Sequence, residues 1–327
     1  MARPRLIDLL DLMAGKRILV VGDVMLDVYL AGDVERVSPE APVPVVRVRT
    51  RTHALGGAAN VAQNVTAIGA TCDLVAVIGH DTAGQTVRQM LSALGANDEG
   101  LVVAERCTTQ KTRIIARAQQ LARVDEEEDA DLSDAETAEL IRRLEAMIGL
   151  ADAVVLEDYN KGVLTPSLIA AVLRLAGAHN IPVVVDPKYK NFFLFGGATI
   201  FKPNQRELEA ALGADLNIAH PETLPASLKR LGVAHLLLTL GERGMVLLSE
   251  NGEVLRVPTV ARQVYDVVGA GDTVTAYLAA ALAAGGSVSE AALIANVAAG
   301  IEVGKLGAAT VSREELLAYI DAHDVLR

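Results

Sequence analysis

Six short runs of this chain are apolar almost without interruption, and they constrain the fold more than any other feature. They are Ile18–Asp23 (ILVVGD), Leu74–Gly79 (LVAVIG), Ala153–Asp158 (AVVLED), Pro182–Pro187 (PVVVDP), Ala198–Asn204 (ATIFKPN) and His235–Gly241 (HLLLTLG). A strand with one wet face alternates apolar and polar residues. A strand that is apolar throughout is buried on both faces, as in a parallel sheet covered by helices on either side. The segments between the runs carry helix start signals. Ser133-x-x-Glu136, Ser287-x-x-Glu290 and Ser312-x-x-Glu315 read as capping boxes, and Thr165 before Pro166 reads as an N-cap with proline in the first turn. The expected fold class is therefore α/β with a mostly parallel central sheet. Several runs end in Asp, Asn or Gly, at the carboxyl end of the strand where open α/β sheets bind ligands.

Two stretches break this rhythm. Ala41–Thr50 (APVPVVRVRT) and Lys111–Asp125 (KTRIIARAQQLARVD) alternate with period two, the pattern of half-exposed antiparallel strands. They predict a small sheet projecting from the main one, with a hairpin turning near Gln119-Gln120, and two edge strands of the main sheet are the alternative. Exposed edges carrying Val43, Val45, Ile114 and Leu121 are costly to leave bare, which predicts a homodimer through this sheet.

Charge narrows the partners. The chain has 30 Lys+Arg against 41 Asp+Glu, a net charge of −11, which excludes the basic face of a nucleic-acid binder. The longest Ala-rich apolar stretch, Val274–Ala284, is too short to span a bilayer, so no membrane partner is expected. Cys72 and Cys107 lack any CxxC or His pairing and read as thiols of a reducing, cytoplasmic compartment.

Two glycine-rich segments carry the chemistry. Gly269-Ala270-Gly271-Asp272 ends a β-like run and opens a long Ala-rich helix. Glycines let backbone N–H groups converge, and the helix N-terminus adds partial positive charge, so the turn can hold an anion. Asp272 in that turn is either a general base facing a hydroxyl or a simple helix cap. A dinucleotide fingerprint fails because Val274 occupies the place of the third glycine. In the second segment, Gly56 and Gly57 precede a helix bearing Asn60, which offers both a donor and an acceptor.

Together these segments resemble the signatures of the ribokinase/PfkB carbohydrate kinases. GGAAN with Gly69 and Gly79 is similar to the first signature, and DVVGAGD (Asp266–Asp272) to the second. Tyr277 stands where that second signature usually has a small residue. The resemblance implies a ribokinase-like three-layer sandwich with a small β-sheet lid, one kinase domain over 1–327, with lid strands from about 30–50 and 110–125. It implies ATP as co-substrate, Asp272 as base, and the N–H groups of Gly269, Ala270 and Gly271 around the transferred phosphoryl group. Asn204-x-x-Glu207 resembles the family motif that organises Mg²⁺ and phosphate through water. Thr239 to Gly244, with Gly241, resembles the nucleotide loop. Gln205, Arg206, Lys188 and Asn296 are expected on the same nucleotide side.

Within the family, GDVMLD, VSPEAPVPVV, RAQQLARVD, DYNKG, VYDVVGAGDTV and VGKLGAATVS resemble the kinases that phosphorylate D-glycero-β-D-manno-heptose 7-phosphate at O1, on the route to ADP-heptose and the lipopolysaccharide inner core. In many bacteria such a kinase is joined to a cytidylyltransferase-like domain. No H-x-G-H motif is found before Arg327, so a separate adenylyltransferase is expected. Asp23 and Asp27 become candidates for sugar contacts, with loop capping as the alternative. Gly56, Gly57, Asn60 and Lys161 are placed on the sugar side. Among the basic residues of the second lid stretch, Lys111, Arg113, Arg117 and Arg123, at least one should hold the distal phosphate. Other sugars or sugar phosphates (fructose or tagatose phosphate, ribose) are the nearest alternatives, and a non-catalytic sugar or nucleotide sensor is the alternative of another class.

Overall fold

The computed structural model describes residues 3–323 apart from 118, 219, 221–224, 262–263 and 306. All six apolar runs lie in one nine-stranded sheet. Its strands are β1 (Arg17–Gly22), β4 (Thr71–Gly79), β5 (Leu101–Ala104), β8 (Ala153–Glu157), β9 (Val183–Asp186), β10 (Ile200–Phe201), β11 (His235–Thr239), β12 (Met245–Ser249) and β13 (Val254–Val257). The spatial order is β13-β12-β11-β10-β9-β8-β1-β4-β5. Pairing is parallel from β5 to β11, and β12 and β13 finish that edge antiparallel.

Successive side chains of a strand point to opposite faces, and β1 divides its apolar residues accordingly. Ile18 and Val20 enter one core, and Leu19 and Val21 the other. The first core is closed by α1 (Arg3–Met13), α2 (Ala58–Ala67), α3 (Thr82–Ala93), α8 (Ala270–Ala283), α9 (Val288–Glu302) and α10 (Arg313–His323). The second is closed by α4 (Asp134–Met147), α5 (Pro166–His179), α6 (Gln205–Leu212) and α7 (Pro225–Leu231). The sandwich thus has three layers, as expected. The capping boxes at Ser133, Ser287 and Ser312 form, and the Thr165 hydroxyl accepts the Leu168 N–H.

The projecting sheet is separate and four-stranded, in the order β3-β2-β6-β7. These are β2 (Val24–Val37), β3 (Pro44–Gly57), β6 (Thr109–Ala116) and β7 (Gln119–Glu126). Its first two strands are longer than the alternation suggested. Their inner ends, Val24–Val28 and Leu55–Gly57, are buried and lack alternation, so the pattern shows only where the strands leave the body. The β6–β7 hairpin turns two residues earlier than expected. Arg117 takes the left-handed conformation (φ 49°), and Gln119 and Gln120 already pair with Ala116 and Ile115.

Only Asp23 separates β1 from β2, and β3 runs straight into α2. At this crossing Gly57 has φ 56°, and a Cβ there would lie 2.4 Å from the Asp23 carbonyl oxygen. Glycine is required on both counts.

Tyr277 is fully buried in α8, and its hydroxyl donates to the Val311 carbonyl at 2.9 Å. It ties the helix behind the site to the segment before α10, a packing role. Tyr277→Phe leaves that carbonyl without its donor and should lower the unfolding free energy by about 1–3 kcal/mol. Urea denaturation measures the loss, and kcat should not move.

Candidate active site

The carboxyl ends of β1, β8, β9 and β10 deliver Asp23, Glu157, Asp186 and Lys202 to one end of the sheet, and α8 points its N-terminus at them. Gly269 caps α8 with φ 94°, and no side chain caps this end. Asp272 lies in the first turn beyond it, 4% exposed. Its carboxylate bonds to side chains from other elements. Asn60 Nδ2 donates to Oδ2 at 2.6 Å, and the Tyr159 hydroxyl donates to Oδ1 at 2.8 Å. These contacts favour the general-base role over the helix-cap alternative. Asn60 is itself held through Asn64, which donates to the Asn60 carbonyl at 3.0 Å and accepts from Thr273 Oγ1 at 3.1 Å.

One pocket brings together Asp27, Gly56, Gly57, Asn60, Gly269 and Asp272, all expected at the sugar and phosphoryl site. Lys111, Arg113 and Tyr159 complete its wall. Asp27 accepts from the Arg113 guanidinium, which also lies over the Tyr29 ring, 5.3 Å from its centroid. Three expected sugar-side residues lie elsewhere. Arg117 is exposed at the hairpin turn, and Arg123 on the outer strand β7 bonds to Asp125. Lys161 pairs with Glu127 at 2.9 Å, on the far side of Asp23. Asp23 is a loop anchor. Its carboxylate accepts the backbone N–H groups of Tyr159, Lys161 and Val163 at 2.7, 3.0 and 3.2 Å.

On the nucleotide side, Asn204 and Glu207 form a capping box at the start of α6, and Glu207 also accepts from Lys188 at 2.5 Å. Gln205 accepts from Arg243 and donates to Glu209, and Arg206 is exposed. After Thr239 the chain makes a tight turn with positive φ at Gly241 and Gly244. Beside it runs an apolar groove lined by Ile218, Leu240, Met245, Val257 and Pro258. Asn296 donates to the Pro258 carbonyl at 2.9 Å, supporting the groove wall from α9.

Sequence reasoning did not single out Tyr159, Glu157, Asp186 or Lys202. The signal was available, because three of the apolar strands end or continue in an ionisable residue (LED, VVVD, IFK). An oxygen from each of Glu157, Asp186 and Asp272 lies within 4.8 Å of the others, with Lys202 donating to Asp186 at 2.8 Å. Burial pushes the Glu157 carboxyl well up, the nearby Asp186 adds to this, and neither of its oxygens is hydrogen-bonded. Burial also raises Asp272, to about 6, while the donors Asn60 and Tyr159 oppose the shift. Burial disfavours the Lys202 charge, but Asp186 and Glu157 more than offset this, and the ammonium persists.

The chain matches the model of the pfkB family of carbohydrate kinases over residues 16–315, and it belongs to that family. It is an ATP-dependent sugar kinase. It is 42% identical over 326 residues to the "Bifunctional protein HldE" of Rhodospirillum rubrum, covering 98% of this chain and 66% of that protein. It is 46% identical over 307 residues to the protein of the same name from Citrifermentans bemidjiense, covering 93% and 63%. The chain therefore spans just under two thirds of the length of these relatives. Ribokinase from Arabidopsis thaliana, complexed with ribose and ATP, shares the fold with a TM-score of 0.73 at 21% identity, covering 94% of this chain and 99% of that one. The tetrameric inhibited form of Escherichia coli phosphofructokinase-2 shares it at 0.77 and 17%, with the same coverage. Among the described residues no helix is long and apolar enough to cross a membrane.

A base works only when ionised, so kcat should climb as pH rises through about 6 and level off above it, where Asp272 has lost its proton. Asp272→Asn should keep the melting temperature while lowering the plateau by roughly 10²–10⁴. Steady-state rates against pH on both proteins test this, and a near-native plateau in the variant would remove Asp272 from the chemistry.

Proposed function

We propose that the chain transfers the γ-phosphoryl group of ATP to O1 of D-glycero-β-D-manno-heptose 7-phosphate, giving heptose 1,7-bisphosphate for ADP-heptose and lipopolysaccharide inner-core synthesis. One observation carries the choice of a sugar that already bears a phosphate. The pocket holding Asp272 is walled on its lid side by Lys111 and Arg113, two cations within reach of the same cavity. An Arg beside a carboxylate keeps its charge and presents a fork suited to phosphate. The likeness to the heptose kinases in the six stretches quoted above, and 42–46% identity to relatives named HldE over most of the chain, support the heptose among phosphorylated sugars.

In this mechanism the sugar 1-hydroxyl lies against the free lone pairs of Asp272. The oxygen attacks the γ-phosphorus as its proton passes to the carboxylate. The bond to the bridging oxygen breaks, and ADP leaves with the electron pair. Charge on the transferred group is met by the uncapped N-terminus of α8 at Gly269, Ala270 and Gly271. The adenine fits the apolar groove beyond Thr239, with Lys188 toward the phosphates. Mg²⁺ would neutralise the outer phosphates. Asn204 and Glu207 suit contact through water, because the capping box and Lys188 already engage the Glu207 carboxylate, and Mg²⁺ retains its waters readily.

We read residues 16–315 as one kinase domain, its lid rooted at 24–57 and 109–126, acting in the cytoplasm. The lid has little cover on either face. Val37, Val43, Val48, Leu121 and Val124 are all at least 40% exposed, which favours a homodimer through the lids. Light scattering at micromolar concentration should return twice the chain mass, and a monomer would count against this interface.

The substrate is tested by ADP release from synthetic β-heptose 7-phosphate, its α anomer, unphosphorylated heptose, fructose 6-phosphate, tagatose 6-phosphate and ribose. The β-heptose 7-phosphate should give the highest kcat/KM. Equal kcat/KM for the unphosphorylated heptose would refute phosphate recognition, and no turnover of any sugar would favour the sensor alternative.

A further inference from the structure

Tyr159 lies in the loop after β8 and is held at three points, one through its backbone and two through its side chain. Its N–H donates to Asp23 Oδ2 at 2.7 Å, its ring lies under the Lys188 ammonium at 5.2 Å, and its hydroxyl donates to Asp272 Oδ1 at 2.8 Å. The loop itself is rigid. Asn160 takes the left-handed conformation (φ 55°) and donates its N–H to Asp158 at 2.8 Å. At Gly162 (φ 82°) a Cβ would lie 1.9 Å from the Ala130 carbonyl oxygen. Asp23 gathers the N–H groups of Tyr159, Lys161 and Val163 and so fixes where the phenol points.

We propose that Tyr159 is the positioning residue for the base of this kinase, and that Asp23 acts on the reaction through it. The proposal rests on the assignment of Asp272 as the base. A carboxylate that swings about its Cβ–Cγ bond offers a sugar hydroxyl no fixed lone pair. With Asn60 on one oxygen and Tyr159 on the other, both oxygens are pinned, and the remaining lone pairs keep one orientation toward the pocket. Burial, with Asp272, Glu157 and Asp186 close by, pushes the phenol well up, so it donates a hydrogen bond and keeps its proton throughout. The proton accepted by Asp272 is the one released by the sugar.

Tyr159→Phe removes one oxygen and almost no volume. At saturating substrates kcat should fall about ten- to hundredfold, the worth of a hydrogen bond to a charged group, while KM for ATP stays unchanged. The acid limb of the pH profile should also move to higher pH, because the carboxylate has lost a donor. The charged and titratable groups facing Asp272 are Glu157 from β8, Asp186 from β9, Lys202 after β10 and Glu302 from α9, with Asp27, Lys111 and Arg113 of the lid across the pocket. The substitution alters none of them. A second measurement avoids any folding defect of the variant. Replacing the tyrosines of the wild-type chain with a fluorinated tyrosine, a stronger donor, should shift the limb to lower pH, and the same replacement in Tyr159→Phe should not. Wild-type kcat with an unmoved limb in Tyr159→Phe, or a fluorine effect that persists without Tyr159, overturns the proposal. Asp272→Asn run alongside separates the two assignments. If it remains active the base itself is misassigned, whereas if it is inactive and Tyr159→Phe is native only the role of Tyr159 falls. The assay uses whichever sugar the wild-type enzyme turns over, so an error in the heptose assignment does not enter.

Discussion

The knot at Asp23 holds the working parts of this molecule together. Its backbone joins β1 to the lid, its N–H donates to the Glu157 carbonyl at 3.1 Å, and its own carbonyl accepts the Ala58 N–H that starts α2 at 2.9 Å. Its side chain gathers the loop after β8 through three backbone N–H groups. One residue thus locks the sheet, the lid root, the helix bearing Asn60 and the loop bearing Tyr159 into one arrangement. Burial pushes its pKa up, and those donors, Lys161 and Tyr159 foremost, oppose the shift. A buried carboxylate with several backbone donors is stable where an unpaired one is not.

Beside this knot the site concentrates negative charge in a dry place. Glu157, Asp186 and Asp272 lie close together beside the Lys202 ammonium, with Lys188 nearby, and three ionised carboxylates there would repel strongly at low dielectric. Glu157 has no donor and burial pushes its carboxyl well up, whereas Asp272 receives two donors. Glu302, also buried without partners behind Gly269, is raised to about 8 by burial and then by Asp266. Of these carboxyls Asp272 is the one that receives two side-chain donors and faces the pocket.

Much of this was legible in the sequence, and the limits have physical causes. The parallel sheet was plain because continuous apolar runs have few other uses, and Asp272, Gly56, Gly57 and Asn60 stood out because the two glycine-rich helix entries together resemble the family signatures. The roles of Asp23 and Asp27 were not separable by sequence. Both follow β1 on similar apolar stretches, yet one bonds only backbone and the other meets Arg113 in the pocket. Tyr159 escaped notice because no periodicity or motif distinguishes a tyrosine in the eight-residue loop between β8 and α5 from a surface one. Its importance comes from contacts 113 and 136 residues away in sequence. Lys161 shows the same limit, since only the folded loop shows its ammonium paired with Glu127.

The choice among the lid's basic residues follows from strand register. β2 and β6 pair in parallel with Asp27 opposite Lys111 and Tyr29 opposite Arg113. Residues two apart share a face of a sheet, so Asp27, Tyr29, Lys111 and Arg113 stand together on one side, near the root. Arg123 pairs with Arg113 one strand further out, and Arg117 lies at the hairpin tip. Distance from the root therefore sorts the four cations, and only the inner pair reaches the cavity. A slip of one residue between β2 and β6 would turn that pair to the opposite face. β2 leaves the body directly at Asp23, so the same knot that orients the Asp272 surroundings also sets which side of the lid faces the pocket.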